Sequence, residues 1–132
     1  MEYLHIDEAD KELIDSAIEV IRKNYSDPKH TVGAAIRASS GKIYVGVNID
    51  SCGYGPCAEP IALGSAISNG ERSFTVFVAV AGKTNSVISP CGNCRQMILD
   101  SAPEASIIIY NDGTITKVSA QDLLPNAYVN LC

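Results

Sequence analysis

One stretch of nine residues, FTVFVAVAG at positions 74–82, constrains the fold more than any other feature of the sequence. It is apolar without interruption, which is typical of a strand whose sheet is covered on both faces. Helices are predicted on either side of it in the chain, at residues 57–68 and 91–101. We therefore expect a central, fully buried strand between helical layers.

The other predicted elements alternate between helix and strand. Apolar residues recur at helical spacing over residues 7–24, and Asp7 is a plausible N-cap for that helix. The further predicted elements are strands at 31–38, 42–48, 105–110 and 114–118, loops at 49–56 and before Pro90, and a short helix at 120–124 capped by Ser119. Short turns make two of these strand pairs antiparallel hairpins. The order α-β-β-α-β-α-β-β-α predicts an α/β fold, a three-layer α/β/α sandwich with a mixed five-stranded sheet and a single domain over residues 1–132.

Size and charge restrict the classes of partner. A chain of 132 residues fits one compact domain. The net charge of −5 disfavours long nucleic acids, because a phosphate backbone requires a surplus of Lys and Arg. No apolar run approaches the ~20 residues of a membrane span, and the acidic start is unlike a secretion signal. We expect a cytoplasmic protein whose partners are small solutes or other proteins, with neither nucleic acid nor membrane as partner.

Two short segments, PCAE at 56–59 and PCGNC at 90–94, carry the chemistry. Each places a cysteine directly after a proline at the predicted start of a helix. A helix N-terminus is partly positive and favours thiolate, the form that binds zinc. Two such starts at one point could supply three ligands, Cys57, Cys91 and Cys94. Three protein ligands leave one tetrahedral position open, which is typical of a catalytic zinc.

Glu59 follows the first of these cysteines by two residues, within the same helical turn. That spacing keeps its carboxylate near the metal without coordinating it. It could take a proton from a water that zinc has acidified and pass it to a substrate. The pattern Cys-x-Glu with Pro-Cys-x-x-Cys resembles that of zinc deaminases in its all-cysteine form.

Simpler interpretations remain as alternatives. A lone Cys-x-x-Cys in such a chain could be a redox pair. A structural four-ligand zinc site would need a further ligand from Cys52, Cys132, His5 or His30, and none has matching spacing. Glu59 by itself would more often be a solvated helix carboxylate. The alternative to an enzyme is a non-catalytic module that is zinc-stabilised or redox-active.

Taken together, the motifs resemble those of the small cytidine deaminases. The resemblance continues through VGAA at 32–35, GVN at 46–48 and LLPNAY at 123–128, and it covers about residues 13–129. Within that family the chain is most similar to the blasticidin-S deaminases, notably in its short loop ending GPC at 55–57. The resemblance implies a homotetramer with one Zn²⁺ per subunit.

The implied activity is hydrolytic deamination of the cytosine 4-amino group of a free nucleoside or nucleoside analogue. Cytidine, deoxycytidine and blasticidin S all remain candidate substrates. Local similarity favours blasticidin S, an antibiotic, whereas Asn48 and Asp50 would suit a ribose. Deamination of a base within DNA or RNA is disfavoured by the acidic balance of the chain.

The resemblance also assigns residues to the substrate. Asn48 would hold a sugar hydroxyl, and Asp50 stands where the family's Asn-x-Glu motif has glutamate, one methylene shorter. His30 stands where these enzymes carry an aromatic residue near the base. Tyr128 matches the C-terminal aromatic that closes a neighbouring subunit's site.

The resemblance also bears on how the negative charge of the zinc site is balanced. Three thiolates and Zn²⁺ carry a formal charge of −1, which the family offsets with two arginines. This chain keeps Arg95 after Cys-x-x-Cys and has Pro60 at the other position. Arg95 is therefore expected to support the zinc thiolates electrostatically, with the two helix N-termini compensating in part.

Overall fold

The computed structural model describes residues 1–129. In this part of the chain, three helices and six strands follow one another as α1 Glu8–Asn24, β1 Val32–Ala38, β2 Ile43–Val47, α2 Ala58–Ser68, β3 Phe74–Ala81, β4 Ser86–Ile88, α3 Gly92–Ser101, β5 Ser106–Asn111 and β6 Thr114–Ser119. None of the helices within residues 1–129 is both long and apolar enough to cross a membrane.

The six strands form one mixed sheet in the order β2-β1-β3-β5-β6, with the short β4 paired to β3. Strand β3 runs antiparallel to β1 and β4 and parallel to β5. The two predicted hairpins, β1–β2 and β5–β6, are both confirmed. The α/β fold with a mixed sheet is therefore as predicted from the sequence.

Two details of the prediction are wrong. The sheet has six strands instead of five, because Ser86–Ile88 pairs with the end of β3 where a loop was expected. Three residues are too few to show a period in the sequence. The segment 120–124 forms turns and no α-helix. Among its backbone N–H groups, that of Ala120 donates to the Ala105 carbonyl oxygen, those of Asp122 and Leu123 to Ser119, and that of Leu124 to Gln121. A helix this short cannot offset the cost of its first turn.

The core has two parts, one on each face of the sheet. Phe77 and Ala79 of β3 belong to the cluster beneath α2 and α3, whereas Val78 and Val80 pack against α1. Successive residues of β3 are thus buried on opposite faces, which explains why its sequence is apolar without alternation. The predicted three-layer arrangement is confirmed.

The carboxylates of Asp7 and Asp10 stabilise the start of helix α1. Asp7 caps the helix as predicted, and Asp7 and Asp10 each accept a hydrogen bond from the other's backbone N–H. The buried Asp10 also lies 2.8 Å from Lys117 Nζ of β6. These contacts join the first helix to the last strand of the sheet.

Helix α2 lies unusually close to β2, and a glycine permits it. A Cβ placed on Gly46 would lie 2.4 Å from the backbone nitrogen of Ala62 and 2.9 Å from the carbonyl carbon of Ile61. Neither backbone atom can move aside without shifting the helix. Gly46 therefore sets the distance between β2 and α2.

Gly46→Ala is expected to lower the free energy of unfolding by about 1–3 kcal/mol, the usual cost of overpacking a close contact. The matched control is Gly53→Ala, because the nearest atom to a Cβ there is 3.9 Å away. Urea unfolding of both variants measures the difference. Equal midpoints for the two would show that the α2–β2 contact is not tight in solution.

Candidate active site

Three cysteine sulfurs meet where two helices begin. Cys57 is the N-cap of α2 and Cys91 the N-cap of α3, each in extended conformation, and Cys94 lies in the first turn of α3. The three sulfurs lie within 4.8 Å of one another, and Cys57 Sγ is 3.8 Å from Cys91 Sγ. Both helices lie on the same face of the sheet, so their N-termini converge on one point.

This spacing fits a zinc ion. Zn–S bonds of ≈ 2.3 Å in tetrahedral geometry put two sulfurs about 3.8 Å apart. Thiolates are also soft ligands that zinc prefers. Within residues 1–129, neither Cys52 nor any histidine or carboxylate joins the three sulfurs in the cluster. Cys132 lies outside the described residues. The cluster therefore offers three ligands and an open fourth position, the composition of a catalytic zinc site.

The free thiols differ in acidity. Burial raises the pKa of the Cys57 thiol, and burial together with the Glu59 carboxylate raises that of Cys94. Burial also acts on Cys91, but hydrogen bonds from the Cys94 and Asn93 backbone and from the neighbouring thiols outweigh it and lower the Cys91 pKa. The helix start thus favours thiolate at Cys91, while a bound cation would be needed to ionise the other two.

Glu59 lies beside the sulfurs in the first turn of α2, with only 5% of its surface exposed. Burial raises the pKa of its carboxyl group, because charge is disfavoured away from water. A raised pKa makes the carboxylate a better proton acceptor, which favours its use as a general base. Its position and acidity suit a proton carrier.

A cavity of about 220 Å³ opens beside Cys57, Cys91 and Glu59, which form its floor. Its side chains are mostly small or apolar, and they come from β1, from the loop after β2, from the starts of α2 and α3, and from β4 and the residue that follows it. The lining residues are Val32, Asn48, Ile49, Asp50, Gly55, Pro56, Cys57, Ala58, Glu59, Ile88, Ser89 and Cys91. The volume is below the ≈ 300–1,000 Å³ of drug-sized ligand pockets, so it suits a single ring, with the rest of a ligand at the open rim.

Asn48 lines this cavity with its amide already oriented. Its Oδ1 accepts hydrogen bonds from the backbone N–H groups of Thr31 at 2.7 Å and Val32 at 2.9 Å. The amide NH₂ is left for a ligand. Asp50 lines the same cavity and is exposed at its rim. Both predicted substrate residues are thus brought to the cysteine cluster.

His30 and Tyr128 do not line this cavity in the single chain. His30 borders a neighbouring cavity together with Ile49 and Ile61, and its Nδ1 is 2.9 Å from the Asn48 carbonyl oxygen. Tyr128 is 75% exposed, and its carbonyl oxygen accepts a hydrogen bond from Gln96 Nε2 at 3.1 Å. Their roles toward a substrate stay predictions.

Arg95 makes its hydrogen bonds to main-chain carbonyl oxygens. Its Nε donates to Pro90 at 3.0 Å and its Nη1 to Leu123 at 3.2 Å. These bonds join the segment that carries Cys91 to the C-terminal segment. Electrostatic support of the thiolates by Arg95 stays a prediction.

The walls of the cavity include residues for which the sequence predicts no role. Ile88 and Ser89 lie in the predicted loop before Pro90, and Val32 lies at the start of a predicted strand. Their position in the sequence was the available signal, since Ser89 directly precedes the PCGNC segment and Val32 begins the VGAA segment.

Comparisons with known proteins agree with this geometry. Residues 7–110 match the family described as the cytidine and deoxycytidylate deaminase zinc-binding region. Blasticidin-S deaminase of Bacillus cereus is 39% identical over 97% of this chain and 98% of its own length. Cytidine deaminase of Sporosarcina psychrophila is 38% identical over 76% of each protein.

Solved structures show the same relationship. Cytidine deaminase from Mycobacterium tuberculosis superposes with a TM-score of 0.79 at 27% identity, covering 94% of this chain and all of that one. The enzyme from Burkholderia pseudomallei gives 0.74 at 34% identity, covering 89% of this chain and 98% of that one. With its cysteine cluster and its buried glutamate, this chain belongs to the cytidine deaminase family of zinc enzymes.

Proposed function

We propose that this protein removes the 4-amino group from the cytosine ring of a free nucleoside or nucleoside analogue by hydrolysis, releasing ammonia and the uracil product. The observation that carries the proposal is the cluster of three sulfurs within 4.8 Å beside the buried Glu59, at the floor of one cavity. One zinc ion per subunit, held by Cys57, Cys91 and Cys94, would act as a Lewis acid that acidifies water.

Glu59 moves the protons of this reaction. It takes a proton from the attacking water and delivers it to N3 of the ring, while the remaining hydroxyl group bonds to C4. It then moves the proton of that hydroxyl group to the amino nitrogen, so that the C4–N bond breaks, ammonia leaves and C4 becomes a carbonyl. The burial that raises its pKa supports this role, because the same group must accept and release a proton in each cycle.

The rim of the cavity holds the rest of the substrate. The Asn48 amide donates to a hydroxyl oxygen of the sugar, and Asp50 accepts from a hydroxyl group. Val32 and Ile88 form apolar walls for the faces of the ring. His30 acts through Asn48, whose carbonyl oxygen it contacts, and not by direct stacking. Arg95 supports the metal site by holding the Pro90 carbonyl next to Cys91, in addition to its charge.

A homotetramer is the proposed assembly. Helix α2 is apolar around its circumference, and a helix of this kind is usually buried. Its outward face presents Ile61, Gly64 and Ile67, and a Cβ on Gly64 would meet nothing within 4 Å in the single chain. The exposed ring of Tyr128 is free to reach a neighbouring subunit's cavity. These features support burial of α2 against another copy.

Gly64→Arg is expected to reduce the assembly to smaller species, because a large charged side chain would prevent close approach of two α2 helices. Light scattering should give four times the 14.0 kDa chain mass for the unaltered protein. Asp15→Arg on the exposed face of α1 is the matched control and should leave the mass unchanged. A tetramer that survives Gly64→Arg would contradict an interface at α2.

Ultraviolet absorbance tests the proposed reaction directly. The zinc-loaded protein is incubated separately with cytidine, deoxycytidine and blasticidin S, and loss of the cytosine band is followed. We expect loss with at least one of them. The relatives support both kinds of substrate, since one is a blasticidin-S deaminase and others are cytidine deaminases. Rates with the three compounds then distinguish antibiotic resistance from pyrimidine salvage. No change with any of the three would contradict the proposal.

A redox or inert zinc module is disfavoured. The Cys91 and Cys94 thiols lie within 4.8 Å of a third thiol, Cys57, and the buried Glu59 stands beside them, an arrangement that neither a redox pair nor an inert zinc site requires. We further propose that the protein is cytoplasmic, and that it does not bind nucleic acid because its net charge is −5. Cell fractionation and a DNA- and RNA-binding titration test these two points.

A further inference from the structure

Two neighbouring side chains of α3 hold the C-terminal segment, defined here as residues 123–128. Arg95 Nη1 donates to the Leu123 carbonyl oxygen at 3.2 Å, and the Leu123 side chain is buried in the core beneath α2 and α3. Gln96 Nε2 donates to the Tyr128 carbonyl oxygen at 3.1 Å. The two ends of the segment are therefore tied to consecutive residues of one helix.

A turn in the middle of the segment directs its end back to the helix. The turn lies at Pro125 and Asn126, and Asn126 has a left-handed backbone conformation with a φ of 55°. Asparagine is one of the few residues besides glycine that adopt this conformation readily. The local sequence therefore favours a path on which the Tyr128 carbonyl group faces α3.

The amide of Gln96 is oriented from a second side. Its Nε2 also donates to Asp100 Oδ1 at 3.0 Å. Residues four apart lie on the same face of a helix, and an amide NH₂ group has two hydrogens. Gln96 can therefore donate to Asp100 and to Tyr128 at the same time, and Asp100 helps to direct the amide toward the segment.

The two donors directly follow a proposed metal ligand. Cys91 is the N-cap of α3 and Cys94 lies in its first turn, so a zinc ion bound by both would fix that turn. Arg95 and Gln96 are the next two residues, and the backbone of the turn sets the directions of their side chains. Order at the metal site and order in the C-terminal segment thus depend on the same turn of helix.

We propose that Gln96 is a positioning residue that couples docking of the C-terminal segment to zinc binding. A formed metal site holds the Gln96 amide where it meets the Tyr128 carbonyl group, and a docked segment in turn stabilises the first turn of α3. Such a coupling is reciprocal, because zinc strengthens docking by the factor by which docking strengthens zinc binding. This inference rests on the proposed zinc site and deepens it, since it assigns a role at the metal to residues that are not ligands.

Gln96→Met tests the coupling at the metal. Methionine has about the length of glutamine and no charge, but it cannot donate a hydrogen bond. Zinc affinity, measured by competition with a chelator under reducing conditions, should fall roughly three- to tenfold, the effect of one hydrogen bond. The matched control is Gln121→Met, because Gln121 Nε2 makes a bond of the same length, 3.1 Å, to the Pro103 carbonyl oxygen beyond the end of α3. The control should alter zinc affinity by less than about twofold.

Removal of residues 125–132 shows whether Gln96 acts through the segment. This truncation keeps Leu123 and removes the Tyr128 carbonyl group. It should lower zinc affinity by the same factor as Gln96→Met, and the two changes together should lower it no further. A merely structural effect of methionine on α3 would instead add to the effect of the truncation.

Cleavage by chymotrypsin after Tyr128, whose ring is 75% exposed, measures docking itself. A protease needs a detached segment, so the rate of cleavage follows the population of the undocked form. Zinc should slow cleavage of the unaltered protein roughly three- to tenfold, the same factor as in the affinity measurement. It should change the cleavage of Gln96→Met by less than about twofold. Mass spectrometry identifies the product that lacks residues 129–132.

Three results would overturn the proposal: an unchanged zinc affinity of Gln96→Met, additive effects of the substitution and the truncation, or a cleavage rate that zinc does not alter. Failure of the proposed deamination gives a different result, because these measurements follow zinc and cleavage instead of turnover. The protein would then bind zinc and show the coupling but leave every nucleoside unreacted. An unaltered protein that binds no zinc would overturn both proposals.

Discussion

Glu59→Gln is expected to lower kcat by roughly 10²- to 10⁴-fold, the contribution typical of a positioned acid–base group. The amide has the shape of the carboxyl group but cannot carry a proton between water and substrate. Glutamine also removes the cost of burying a charge, so the fold should be retained. Absorbance assays measure kcat, and elemental analysis of the same sample measures zinc.

The zinc content is what makes this result specific. Glu59 lies beside the sulfurs but is not part of the three-residue cluster, so one zinc per chain should remain. Glu104→Gln, at an exposed position, is the matched control and should leave both quantities unchanged. A Glu59→Gln variant with zinc bound and full activity would require a different proton carrier. Loss of zinc would instead assign Glu59 to the metal.

Cys91→Ser is expected to abolish stoichiometric zinc binding at micromolar protein and to lower activity by at least about a hundredfold. Cys91 is the N-cap of α3, where free backbone N–H groups favour the thiolate that binds the metal. A hydroxyl group does not ionise at neutral pH and is a poor replacement for a thiolate. The variant should also melt at a lower temperature, since metal binding stabilises the folded state.

Cys52→Ser is the matched control for that experiment. Cys52 is exposed in the loop beside the cavity and does not belong to the sulfur cluster. Zinc content, activity and melting temperature should all match those of the unaltered protein. A fall in zinc content with Cys52→Ser would show that the loop supplies a fourth ligand, which would make the site structural. Retention of one zinc per chain by Cys91→Ser would contradict the ligand assignment.

The sequence by itself determined the local structure and the chemistry of the donors. Helical spacing, the apolar β3 segment and the turn residues are short-range signals, and the elements they predict are present. The two proline–cysteine segments also placed thiols at helix starts, where backbone N–H groups are free, and both cysteines are N-caps. Prediction failed where the local signal was weak, in the three-residue β4 and in the turns at 120–124.

Only the tertiary structure decided how these parts meet. The position of β3 between β1 and β5 brings the starts of α2 and α3 together, and no local pattern specifies that neighbour relation. The same holds for the carbonyl partners of Arg95, for His30 facing a separate cavity, and for Asp50 at the rim without a partner among residues 1–129. Sequence patterns report what each residue prefers within a few positions of itself. Distances, burial and the resulting pKa shifts depend on residues far apart in the chain, and packing alone brings those together.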